Sequence, residues 1–372
     1  MARRLAIPGR GRSTSPALSP LPGLRRDTIG VGPSHRERGE GAELVVGRSA
    51  KPVGRIVGPV LRVGVSVGVM AVLLSKADLG RVGQTIAQVS LIWLGLALAV
   101  QLVGKVVWAM RWSATLAIFG FSAPLGVLVR GIFIGQFFNS FLPSSLGGDF
   151  YRGYWILDDS KFYRQSLFLV FLERFLGLIA LGFVSFPALV LLIVRGGPAW
   201  DGNLLFMLCL LAGLCSSPIV LHPRVYGGID RRLASIRVWR VAPLRRKVLE
   251  GIRLLHQAGW LRSRAFLLSC GVQLVGVGFY YCLGRGLGLP LSGWHYLVVV
   301  PLVAIATVLP VTINGIGVRE GTLVMLTGAL RVDMPASDSL ALGLLASVMI
   351  LLISLIGGGV FLAGKRRESR PD

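Results

Sequence analysis

The sequence has little charge, and less acid than base. Only 15% of its 372 residues are charged, and 17 Asp and Glu face 40 Lys and Arg. A soluble domain carries about a quarter charged residues, so this composition argues against one. Cysteine is scarce as well. Cys209, Cys215, Cys270 and Cys282 all fall inside apolar runs, with no C-x-x-C and no metal-ligand spacing. That pattern fits small core- or lipid-facing residues better than a disulfide set or a zinc module. No G-x-S-x-G and no ATP-binding glycine loop is present. The first 50 residues hold no apolar run of signal-peptide length. The basic residues lack aromatic interleaving, which argues against nucleic acid as a partner.

Long uncharged runs are what the sequence has in plenty. A hydrocarbon core of about 30 Å needs about 20 residues of helix, at 1.5 Å each. The runs do not alternate as barrel strands would. The expected fold class is therefore an all-α polytopic membrane protein. Six segments qualify as full crossings: 56–75, 91–110, 166–194, 203–221, 265–284 and 340–364. The stretch KADLGRVGQTIAQVS after the first is amphipathic and predicts a helix lying along the outer surface. Three domains are expected: a disordered basic cytoplasmic arm over 1–55, a single transmembrane domain over 56–364, and a cytoplasmic tail over 365–372.

Charge sets the orientation. Residues 1–56 hold eleven Lys and Arg against four acids, 222–264 hold eleven against two, and the tail after Gly364 holds four against two. All three are expected on the cytoplasmic side of the plasma (inner) membrane, together with both termini. Parity then constrains two remaining apolar stretches. The chain is inside at Arg111 and inside again at 222, and 166–194 with 203–221 already supply both crossings. So 111–149 must enter and leave on one face. The same count makes 296–330 a second re-entrant segment, from the opposite face. About six full helices plus two opposed re-entrant hairpins is the geometry of an inverted repeat.

Each re-entrant stretch contains a polar interruption, LPSSLGGDFYRG at 142–153 and LPVTINGIGVREG at 309–321. Both fit L-P-x4-G-x3-R. Pro143 and Pro310 stop a helix. Gly147, Gly148, Gly315 and Gly317 permit positive φ and close backbone approach. Irregular backbone at membrane depth must be buried in protein or line a wet cavity. Free N–H groups at the following half-helix can hold an anion, and Arg152 and Arg319 add guanidinium forks suited to phosphate. Asp149 and Glu320 balance them or take an amine. Glu173-Arg174 lies inside a hydrophobic run, where charges usually face the bundle interior with partners. Arg152, Arg319 and Arg111 are the expected partners of Glu173. Asn139 precedes Pro143 by one turn and either satisfies freed backbone or touches a headgroup. Lys105 and Arg130 are expected to snorkel to an interface.

The stretches GQFFNSFLPSSLGGDFYRGYWIL, LVFLERFLGL and LPVTINGIGVREG together resemble the signature of the lysylphosphatidylglycerol synthase transmembrane region. The resemblance covers roughly residues 55–365. It implies a flippase module for aminoacylated phospholipids, with a headgroup cavity lined by Asn139, Asp149, Arg152, Glu173, Arg174, Asn314, Arg319 and Glu320. Full-length members add a soluble aminoacyl-transferase domain that these 372 residues do not include, so synthase activity is not expected. The leading expectation is a lipid translocase, not an enzyme, moving a phospholipid, aminoacyl-phospholipid or polyprenyl-linked lipid. Membrane lipids are its expected partners, and a homo-oligomer or a separately encoded lipid-modifying enzyme is compatible with it. No cofactor is expected. Two alternatives stay open. One is a lipid-phosphate or sugar transferase using Asp158 and Asp159, since paired acids hold Mg²⁺ beside a pyrophosphate. The other is a non-transporting subunit that docks a partner through loop 222–264.

Overall fold

The computed structural model describes residues 53–141, 148, 152, 163–194, 258–308, 312 and 314–368. These residues are helical throughout apart from short turns, with no strand among them. The expected arm over 1–55, the crossing 203–221 and most of the loop 222–264 lie outside the described residues.

Helix α1 (Val53–Lys76) ends where Asp78 starts a new helix, α2 (Leu79–Ala87). The Asp78 carboxylate accepts from the Arg81 N–H at 3.0 Å and so caps the first turn of α2. The two axes differ by 94°. The amphipathic stretch thus turns off the first span, and its Val82 packs on Leu340 and Ala341. The Arg81 side chain and the Thr85 hydroxyl both donate to the Asp338 carboxylate.

Helix α3 (Leu91–Ile118) continues well past Met110, the end expected for that crossing. Arg111 is therefore not a terminal residue at the interface but a buried helical one. An arginine paired inside the protein has no need to reach water, so it does not end the helix. Helix α4 (Leu125–Phe141) precedes the first interruption, and α5 (Tyr163–Val194) carries Glu173 and Arg174. Helix α6 (Trp260–Gly286) starts earlier than the expected Ala265, so Arg262 and Arg264 belong to its first turns rather than to a loop. Helices α7 (Gly293–Val308) and α8 (Val318–Ala329) are two short helices on either side of the second interruption. Helix α9 (Ala336–Glu368) closes the fold. Among the described residues, α3, α6 and 336–363 of α9 are each long and apolar enough to cross a membrane, and the bent α1–α2 pair adds a fourth if taken as one span.

Helices α6, α7, α8 and α9 pack together, and α5 packs mainly on α6 and α7 rather than on α3. Helices α3 and α6 pack along each other at the centre. Gly104 receives Val275, and Gly271 and Gly278 receive Val107 and Val100, a small-residue seam that lets the backbones approach closely. Helix α4 also packs on α9, and α7 on α5. At the α4–α9 contact Gly357 lies directly on the Phe133 carbonyl, and a Cβ there would overlap that oxygen.

Candidate functional site: two joined helix breaks and their buried charges

Helix α4 stops at Phe141, and its last turns hold the first break in place. The Asn139 side-chain oxygen accepts from the Gly148 N–H at 2.9 Å. Gly148 sits so close to Gly135 that a Cβ would overlap the Gly135 carbonyl oxygen. Only glycine permits that approach. Four residues later Arg152 is delivered against α3. Its guanidinium carbon lies 4.3 Å from the Trp112 ring centroid and 5.3 Å from that of Trp108. Those indoles are four residues apart and share one face of α3.

Glu173 closes this cluster from α5. One carboxylate oxygen accepts from Trp108 Nε1 at 2.7 Å and from Arg111 Nη2 at 2.7 Å; the other accepts from Arg152 Nη2. All three ionised side chains are buried, Glu173 at 2% exposure, Arg152 at 3% and Arg111 at 7%. Two guanidinium groups share one carboxylate. On the same helix as Arg111, Lys105 is also buried, and its Nζ donates to Gln136 Oε1 on α4 at 3.0 Å. Its ammonium lies 5.5 Å from the Trp108 ring centroid. A lysine at the bilayer centre costs roughly 2.5–3.5 kcal/mol on insertion scales, and an amide oxygen removes only part of such a cost.

The second break is built from positive φ values: Asn314 at 51°, Gly315 at 76° and Gly317 at 86°. Asn and Gly are the residues that tolerate this region, which explains the N-G-I-G sequence. Helix α8 starts at once, and Glu320 reaches back to accept from the Gly317 N–H at 2.7 Å. The other Glu320 oxygen accepts from the Ser347 hydroxyl of α9 at 2.5 Å. Arg319 donates to the same Ser347 oxygen at 2.6 Å and to the Asn314 carbonyl at 3.1 Å. Glu320 is fully buried, with Gly343 of α9 making room for its stem. One serine hydroxyl thus bridges an adjacent base and acid.

The second break touches the end of α4. Asn314 Nδ2 donates to Ser140 Oγ at 3.2 Å, and Ser140 is the residue after the Asn139 that holds Gly148. The stretches around these residues carry the family resemblance, and the family model for the lysylphosphatidylglycerol synthase TM region matches residues 60–358. The chain belongs to that family. A comparison with curated proteins finds no match. As a member of the lysylphosphatidylglycerol synthase TM region, the chain is a membrane protein of a lipid-handling family.

In this family member the expected site residues fall into two groups. Asn139, Gly148, Arg152 and Glu173 gather at α3–α5, and Asn314, Gly315, Gly317, Arg319 and Glu320 at α7–α9. Glu173 takes Arg111 and Arg152, two of its three expected partners, while Arg319 goes to Ser347. Arg174 is half-buried beside Glu173. Pro143, Gly147, Asp149, Asp158, Asp159 and Pro310 lie outside the described residues. Arg130 is exposed, as an interface residue would be. Lys105 does not snorkel: Gln136 across the α3–α4 contact gives it an acceptor inside. Sequence reasoning missed Trp108, Trp112, Gln136, Ser140 and Ser347. The W-A-M-R-W run was the available signal for the first two, since spacings of three and four place Trp108, Arg111 and Trp112 on adjoining positions of one helix.

Proposed function

We propose that this protein is a lipid translocase that moves a phospholipid, aminoacyl-phospholipid or polyprenyl-linked lipid between leaflets, and that it is not an enzyme. The observation that carries this reading is the Asn314–Ser140 hydrogen bond, which joins two interrupted helices inside one apolar bundle. Non-helical backbone survives at membrane depth only where protein or a wet cavity satisfies it. Two such interruptions, with buried cations beside one and an Arg-Glu pair beside the other, give a polar path for a headgroup while the chains stay in lipid. Membership of a lipid-handling family supports the same reading.

In this reading the protein lies in the plasma membrane with its basic termini on the cytoplasmic side, following the positive-inside bias. Membrane lipids are the partners. Alternation of access is a rocking of one hairpin bundle against the other, with the Asn314–Ser140 bond made in one state and broken in the other. The test is transbilayer movement of fluorescent lipids in proteoliposomes. Movement of at least one anionic, aminoacylated or polyprenyl-phosphate lipid above protein-free vesicles is expected. A purified, folded protein that moves none of that panel would overturn the proposal.

A further inference from the structure

Lys105 differs from the other buried cations. Arg111 and Arg152 have the Glu173 carboxylate, and Arg319 has a serine that itself binds Glu320. Lys105 meets only a neutral amide oxygen, Gln136 Oε1, and the face of Trp108. Among the described residues no carboxylate pairs with it. It is 7% exposed and sits on α3 three residues before Trp108, against α4. Gly104 and Val275 close its neighbouring position on the α6 side.

A Lys ammonium has three donors, and one is directed at Gln136. Within contact range of the same indole lie Arg111, at 5.9 Å, and Arg152, at 5.3 Å. Three cations therefore surround Trp108, and among the described residues one carboxylate, Glu173, touches the indole. A buried charge is retained where it is paired, and the partner this one lacks among the described residues is an anion. The apolar setting of α3 and α4 favours an anion carried on a lipid over a free one. Lysine, with its compact rotatable donors, suits a phosphate oxygen approached from varied directions.

We propose that Lys105, held by Gln136, binds the phosphate oxyanion of a lipid headgroup. The site selects lipids whose phosphate charge is not balanced by a cationic group on the same headgroup, because a neighbouring cation would meet Lys105, Arg111 and Arg152. This rests on the lipid-translocase reading for its choice of ligand, but its test does not require movement.

The experiment uses the full chain in nanodiscs of phosphatidylcholine doped with phosphatidylglycerol. Lipid retained on the protein is read by native mass spectrometry. Enrichment of phosphatidylglycerol over phosphatidylcholine is expected for the natural sequence. K105M should reduce that enrichment about tenfold, the scale of one lost hydrogen bond to a charged group, and K105R should keep most of it. Q136E keeps the shape but places a carboxylate on the ammonium, so it should also abolish the enrichment while leaving thermal stability equal or higher. R130M, at an exposed position, should change nothing. Unchanged enrichment in both K105M and Q136E would overturn the proposal, as would an equal loss of both lipids in a folded K105M. Displacement of the retained lipid by millimolar inorganic phosphate would overturn the lipid assignment. Lys105-dependent enrichment without transbilayer movement would sink the translocase reading and leave this site standing.

Discussion

Asn314 and Ser140 are 174 positions apart in sequence, yet the Asn314 amide donates to the Ser140 hydroxyl at 3.2 Å. Asn314 needs its positive φ of 51° to present that amide, because the N-G-I-G turn reverses the chain there. The bond therefore depends on local backbone chemistry at one break and on the end of α4 at the other. N314G keeps the backbone conformation and loses the bridge. Its cost in stability should be small, about 0.5–1.5 kcal/mol for one hydrogen bond. N314A adds left-handed strain of roughly 1–2 kcal/mol and should melt lower. If the bridge serves alternation, N314G changes the lipid movement rate more than its melting temperature predicts. Equal effects on both would assign the bond to packing alone.

Glu173 is the sole carboxylate between Arg111 and Arg152 among the described residues, and all three are buried. E173Q leaves two guanidinium groups together without the charge of Glu173 between them. Breaking a buried pair from one side costs about 3–5 kcal/mol, so a steep fall in detergent melting temperature is expected. Removing a guanidinium as well, in R111M/E173Q, should recover part of that loss. A double variant no better than E173Q would argue against charge imbalance as the cause. Trp108 donates to the same carboxylate, so its fluorescence should shift in E173Q and report the loss directly.

The range of each interaction decided whether the sequence made it legible. The second break was legible because Asn314, Gly315 and Gly317 act on their own backbone. The seam glycines were visible only as composition. Gly104 matters because Val275, on another helix, fills its place, and no local pattern encodes that. Glu173 has the arginine partners its burial calls for, but its choice of Arg111 and Arg152 over Arg319 depends on how α3, α5 and Arg152 converge. Lys105 was misjudged for a related reason. Snorkelling describes a side chain facing lipid, and Gln136, 31 positions on, gives this one an interior partner. Ser347 had no signal at all. A serine in an apolar helix is common, and only the fold brings it between Arg319 and Glu320.

The packing of α4 on α9 makes a steric prediction. A Cβ at Gly357 would overlap the Phe133 carbonyl, whereas one at Gly359 meets nothing within 4 Å. G357A must push two helices apart and should lower the melting temperature sharply. G359A should be neutral or slightly stabilising, since alanine is favoured over glycine in a helix by about 1 kcal/mol. Equal behaviour of the two variants in thermal denaturation would contradict the α4–α9 contact.

Ser347 offers the sharpest separation of structure from selectivity at the second break. Its hydroxyl donates to Glu320 and accepts from Arg319, while Glu320 also holds the Gly317 N–H at the start of α8. S347A removes one group and unsatisfies two. Leaving buried polar groups without partners costs about 1–3 kcal/mol each, so the variant should lose more stability than one hydroxyl implies. S347T retains the donor and acceptor and should stay near the natural melting temperature. E320Q can still accept from Gly317 but leaves Arg319 without a nearby negative charge, so it should be worse than S347T. The expected order of melting temperatures is natural sequence, S347T, then S347A and E320Q well below. An S347A protein as stable as the natural one would mean that Arg319 and Glu320 are held by other contacts, and that the hydroxyl bridge does not set the geometry of this break.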